Sequence, residues 1–239
     1  MEAHDAKTPD SPRSALESAI QAVERSLCAD GSLHGGIPEG EQSGHEWRAL
    51  FQWAQGSGHV LPPSLTPERQ GGREHDLTFL PEERRWRKFT KPDGCGLSVE
   101  FADEEPLLLP GSPLRYLKRL KLQNQFWQDD TILAGVQVRT PGAKIITTQP
   151  DVKGEAPLPE TLHNYLCREF GFRRLNIPPM GYYKSLSFLR DSIGLFDVHP
   201  ANFVQVSPEL ILPIDVIMIE FSGTELAALQ ARAWEHTVG

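Results

Sequence analysis

Two apolar stretches near the C-terminal end each enclose one carboxylate. Asp197 lies between Leu195-Phe196 and Val198, and Asp215 interrupts Leu210-Ile211-Leu212-Pro213-Ile214 and Val216-Ile217-Met218-Ile219. An unpaired charge among such residues is costly unless a metal, a hydrogen-bond donor or an opposite charge meets it. Any fold that accepts this chain must therefore bring something to both acids. Asn202 follows Asp197 closely enough to share its loop, and a turn at Ser207-Pro208-Glu209 lets the Asp215 strand pair back beside that loop.

Asp, then Asn five positions on, then Asp eighteen positions after the first, is a spacing suited to phosphoryl transfer. A nucleoside triphosphate is handled as its magnesium complex, and magnesium takes hard oxygen ligands, usually one or two from protein and the rest from phosphate and water. Asn202 and Asp215 supply such oxygens. The transfer also needs a carboxylate that orients the attacking hydroxyl or accepts its proton, which is the role Asp197 fits. Asp, His, Pro and Asn are ordinary turn residues as well. The position of Asp215 inside an apolar run weighs against that plainer reading.

These residues carry a resemblance to the protein-kinase-like superfamily, and within it to the serine/threonine/tyrosine kinase-like domain of bacterial and phage polyvalent proteins. The matching stretches are Gly71-Gly72-Arg73-Glu74-His75, the strand around Lys88, Pro113-Leu114-Arg115-Tyr116-Leu117, Ile146-Thr147-Thr148-Gln149-Pro150 and the two acidic segments, over about residues 47 to 218. Asp197-Val198-His199-Pro200-Ala201-Asn202 is also similar to aminoglycoside phosphotransferases. The resemblance implies an α+β, two-lobed protein-kinase-like fold: a sheet-rich N-lobe over 46–149, a hinge at Gln149 to Gly154, and a small, mostly helical C-lobe over 150–239. It implies ATP and Mg2+ as cofactors. Asp197 and Lys88 become catalytic residues, with Lys88 on the phosphates. Gly71, Gly72, Glu74, Lys88, Gln149 and His199 become nucleotide-binding residues, and Asn202 and Asp215 metal ligands.

The chain departs from that pattern in two places. Kinases offer a glutamate from the helix after the lysine strand, and the helix expected over 114–127 has none. Arg115 stands near that place, and Gln123, Asn124, Asp129-Asp130 or Glu74 are the remaining partners for Lys88. Leu195-Phe196 replaces the usual His-Arg before the catalytic aspartate. Three readings follow: a phosphotransferase acting on a protein or small-molecule hydroxyl, a nucleotide-binding pseudokinase used as an interaction module, and a small-molecule kinase of the antibiotic-phosphotransferase kind.

The rest of the sequence sets bounds. With 239 residues the chain can bury a sizeable core. A net charge of -8 argues against a general nucleic-acid surface, and the basic runs Arg84 to Lys88 and Arg115 to Lys121 read as solvated faces. Cys28, Cys95 and Cys167 have no paired spacing, so a reducing cytoplasm is expected. The longest apolar run is too short to span a bilayer, and the first residues lack the pattern of a secretory signal. Residues 1–45 read as an appendage of low order with one helical patch, Ser14 to Cys28, and a Gly35 to Gly40 linker. His4, His34 and His45 there have no partners at ligand spacing. Helices are expected over 46–55, 114–127, 158–170 and 224–236, and strands over 76–80, 86–90, 131–138, 143–149 and 182–189.

Overall fold

The computed structural model describes residues 12–29, 39–91, 94–139 and 142–234. The chain is α+β. The first sheet is antiparallel, with strand order β1-β2-β6-β5: β1 His75–Leu80, β2 Arg85–Thr90, β5 Ile132–Arg139 and β6 Gly142–Pro150. β2 sits between β1 and β6, with Lys88 opposite Leu77 on one side and Thr147 on the other. Lys88 is therefore held on a central strand.

Three helices cover this sheet: α1 Pro12–Ala29, α2 Glu39–Ser57 and α3 Pro113–Trp127. Leu16, Ile20, Val23 and Leu27 recur on one face of α1 and are buried with Leu50, Leu117, Val136 and Ile145. For residues 12–29 and 39–45 this corrects the low-order reading of the segment 1–45; its other residues lie outside the described ones. The 3.6-residue apolar stripe of α1 has a sheet-covering core to enter, and most helical stability comes from such packing. His4, His34 and most of the Gly35 to Gly40 stretch lie outside the described residues. At α3, Ser112 Oγ accepts from the Arg115 amide and Pro113 occupies the first turn. Glu46 of α2, only 1% exposed, adds a second cap by accepting from the Leu114 amide.

Between β2 and α3 the chain makes a hairpin, β3 Leu97–Ala102 and β4 Glu105–Pro110. Its two-residue turn, Asp103-Glu104, has positive φ at both positions (50° and 66°), the conformation that matches strand twist in tight hairpins.

The C-terminal half departs from expectation. It holds a second four-stranded antiparallel sheet, order β12-β9-β8-β7, built from β7 Arg173–Arg174, β8 Leu186–Arg190, β9 Ile193–Val198 and β12 Ile217–Glu220. A separate hairpin pairs β10 Phe203–Ser207 with β11 Leu210–Pro213. Helices are limited to α4 Pro159–Arg168 and α5 Gly223–Ala231 among the described residues. The mostly helical C-lobe is thus corrected to a mostly stranded one. The reason is visible in the alternation of β9 and its neighbours: Phe188, Leu195 and Met218 enter one core with α4, while Leu189, Phe196 and Ile217 enter another with α5 and β3. A sheet covered on both faces wants unbroken apolar strands, and this chain supplies them. The expected run from 210 to 221 is broken at Ile214-Asp215-Val216, so Asp215 lies in the bend between β11 and β12 rather than on a strand. No helix among the described residues is long and apolar enough to cross a membrane.

Candidate functional site

Asp197 owes its orientation to an irregularity in the sheet. Leu186 pairs with Val198 and Phe188 with Leu195, so β9 carries one more residue between those pairs than β8 does. Such bulges re-aim a side chain, and Asp197 takes φ +54, the left-handed region that aspartate tolerates better than most residues. Its Oδ1 accepts from the Tyr182 amide at 2.8 Å and its Oδ2 from Asn202 Nδ2 at 3.2 Å. Asn202 Nδ2 also donates to the Asp197 carbonyl at 2.9 Å. This places both amide hydrogens toward Asp197 and leaves the Asn202 Oδ1 as an available hard oxygen. The short helical turn Pro200–Asn202 keeps them on one loop. Gly181 lets the Tyr182 segment close over the acid, because a Cβ there would lie 2.4 Å from the carboxylate. His199 Nε2 lies 3.8 Å from Asp197 Oδ1, and its ring sits tilted against Tyr182 with centroids 4.7 Å apart.

The second acid is tied to the first through backbone. The Ile214 amide donates to the Asn202 carbonyl at 2.8 Å, and the Ile214 carbonyl accepts from Lys88 Nζ at 2.7 Å. Lys88 on β2, the Asp197–Asn202 loop and the Asp215 bend are therefore linked by a continuous chain of hydrogen bonds. The Asp215 carboxylate itself turns toward α3. Its Oδ1 lies 3.2 Å from Arg119 Nη2 and 4.0 Å from His75 Nδ1, and the side chain keeps 42% of its exposure. Burial works to raise its pKa, but Lys88, His75 and Arg119 outweigh that and hold it below the ordinary carboxylate value.

Arg119 is the residue that sequence reasoning missed. It is 4% exposed, donates to both oxygens of Glu74 at 2.7 and 2.9 Å, and donates through Nε to the Val216 carbonyl at 2.8 Å. Burial opposes its charge, yet Glu74 and Asp215 hold its pKa above the ordinary arginine value. Glu74 is consequently not the partner of Lys88: its carboxylate is committed to Arg119 and to the Leu97 amide at 2.6 Å. Arg115 forms its ion pair with Glu100 instead. A signal for Arg119 existed, since with Tyr116, Leu120, Gln123 and Trp127 it falls on the buried helical stripe of α3.

Gln149 is also committed elsewhere. Its Nε2 donates to both oxygens of the buried Asp129 at 2.8 Å, and Thr131 Oγ1 donates to the same carboxylate. Burial of Asp129 outweighs these bonds and raises its pKa. Gly71 lies in the turn before β1, where a Cβ would meet the His75 carbonyl at 2.1 Å, whereas Gly72 faces open space. Neither glycine lines the cavity around Lys88 and Asp215. His75, Lys88, Arg119, Gln149 and Asp215 share the lining of a cavity of about 10 Å³, room for no more than one water. Triphosphate entry here requires side chains to move.

Compared with protein-family models, curated proteins and solved structures, the chain matches none.

Proposed function

We propose that this chain is an ATP- and magnesium-dependent phosphotransferase of two-lobed, kinase-like plan, acting in the cytoplasm on a hydroxyl acceptor. The observation that carries the reading is the hydrogen-bonded path from Lys88 through Ile214 to Asn202 and Asp197, which joins three segments remote in sequence. Each group keeps the capacity its role needs. Asp197 has used one lone pair on each oxygen, so it can still accept from an acceptor hydroxyl; the Lys88 ammonium has spent one of three donors, leaving two for phosphate oxygens. Asn202 Oδ1 and Asp215 are the oxygens that would hold magnesium, which supplies charge neutralisation on the phosphates. The hinge at Gln149 to Gly154 joins the two sheets, and Asp129 locks Gln149 in place rather than leaving it for the nucleotide.

Arg119 favours a second reading. In place of a helix glutamate paired to Lys88, the chain has an arginine paired to Asp215, which leaves Lys88 without the partner that turnover in kinases uses and so favours a nucleotide-binding module without turnover. Transfer of the γ-phosphoryl group from labelled ATP to protein or small-molecule acceptors separates the two. Turnover that requires magnesium and falls at least about a hundredfold in Asp197→Asn, the scale of one positioned acid or base, supports the enzyme. Nucleotide binding with no turnover supports the module.

A further inference from the structure

Glu74, His75 and Asp215 each present one ligand atom within 4.8 Å of the other two. We propose that these three residues form a binding site for a divalent transition cation of the zinc or manganese kind, which shares only Asp215 with the magnesium site of the nucleotide reading.

His75 carries the inference. The residue is 5% exposed, and its ring is fixed by a 2.9 Å hydrogen bond between Nε2 and Tyr116 Oη. The tautomer that donates from Nε2 to that oxygen is the one that offers Nδ1 to a cation. That nitrogen faces Glu74 Oε2 at 3.9 Å and Asp215 Oδ1 at 4.0 Å, both beyond hydrogen-bond distance. The neutral ring can carry its proton on either nitrogen, and a cation among these three atoms selects the form with the Nδ1 lone pair free. Metal-ligating histidines usually engage their second ring nitrogen in this way, and ligating carboxylates are usually hydrogen-bonded in turn. Both features are present: Arg119 and the Leu97 amide donate to Glu74, and Arg119 donates to Asp215.

The donor set selects the ion. Imidazole suits zinc and its neighbours and the two carboxylates suit manganese as well, whereas magnesium prefers oxygen alone. Ligand atoms around a zinc with bonds of about 2.0–2.1 Å lie roughly 3.3 Å apart, so the 3.9 and 4.0 Å contacts of His75 have to shorten by about 0.6–0.7 Å. The exposed side of Asp215 leaves a way in and an open position for water. Arg119 already offsets one negative charge, which favours a site of moderate affinity.

The test uses the full chain, stripped with chelator and free of nucleotide. Cobalt(II), as a spectroscopic stand-in for zinc, and manganese(II) are titrated by visible absorption and by calorimetry, beside thermal melts. One equivalent bound, with d–d bands and a raised Tm, is the expected result. His75→Ala and Asp215→Asn should each weaken binding at least tenfold, the scale reported for lost ligands and their supports, while the surface variant His59→Ala keeps it. Asp215→Asn alters a part-exposed side chain, so it remains informative if His75→Ala misfolds. Binding that survives His75→Ala and Asp215→Asn unchanged, or no binding to folded wild type, overturns the site. Because no nucleotide is used, neither result depends on the phosphotransferase reading.

Discussion

Replacing Arg119 by methionine removes the charge at the centre of the site while keeping most of the side chain's length and apolar stem. Three groups lose a donor, and they lose unequally. The Val216 carbonyl still accepts from Gln123 Nε2 at 2.8 Å. Asp215 keeps 42% of its side-chain exposure and can turn to water. Glu74 is the expensive one: at 7% exposure its carboxylate retains only the Leu97 amide as a close donor. Removing one partner of a buried ion pair costs about 3–5 kcal/mol, mostly from the charge left behind. For a chain of this size that corresponds to a fall in Tm of roughly 10 °C. Urea denaturation of wild type, Arg119→Met, Glu74→Gln and the double variant measures it. The double variant should recover more than half of the loss, since no buried carboxylate remains unpaired. If Arg119→Met costs less than about 1 kcal/mol, the electrostatic account of this site is wrong.

Two further predictions follow from the geometry. Burial lowers the His75 pKa to about 4 against the pull of Asp215 and Glu74, so the folded state stays neutral where the unfolded chain, at about 6.5, takes up a proton. Stability is therefore full above pH 6.5 and falls as pH drops toward 4, by up to about 3 kcal/mol; in chelator, His75→Gln should flatten that part of the stability curve, and an unchanged slope rejects the assignment. At Gly181, φ +97 and the 2.4 Å approach of a Cβ to Asp197 forbid a side chain, so Gly181→Ala should lose more than about 1 kcal/mol and should impair turnover as Asp197 variants do. Wild-type turnover in Gly181→Ala would show that the Tyr182 segment does not position the acid.

The sheet around Lys88 was legible because its strands alternate and its turns carry glycine or proline, as at Arg139 to Gly142, and α3 because Ser112-Pro113 mark its start. The hairpin of residues 97–110 was not, because Asp103-Glu104 stand where Asn-Gly would advertise a tight turn. The C-terminal sheet was hidden differently: the resemblance called for helices, while short unbroken apolar runs such as Leu195-Phe196 and Ile217-Met218, buried on both faces, lack the alternation that marks a strand. At the site, the short spacing of Asp197 and Asn202 shows in the hydrogen bonds between them. Arg119 escaped notice because it sits among Arg115, Lys118 and Lys121, which read as a solvated face. Only the register with Tyr116 and Gln123 separates the one buried cation from its exposed neighbours. The partners of Glu74 and Gln149 depend on which side chains meet across 45 and 20 residues of chain, which no local pattern encodes.

The central claim is that Asp215 and Asn202 meet magnesium and nucleotide beside Lys88 and Asp197. Calorimetric titration of ATP into wild type and Asp215→Asn, each with magnesium and with chelator, tests it most directly. The account predicts that magnesium strengthens ATP binding to wild type at least tenfold and that this gain disappears in Asp215→Asn, while the variant, which loses the Arg119 ion pair, still melts cooperatively at a somewhat lower temperature. Equal affinities in all four titrations, or a magnesium-dependent gain that Asp215→Asn retains, would contradict it.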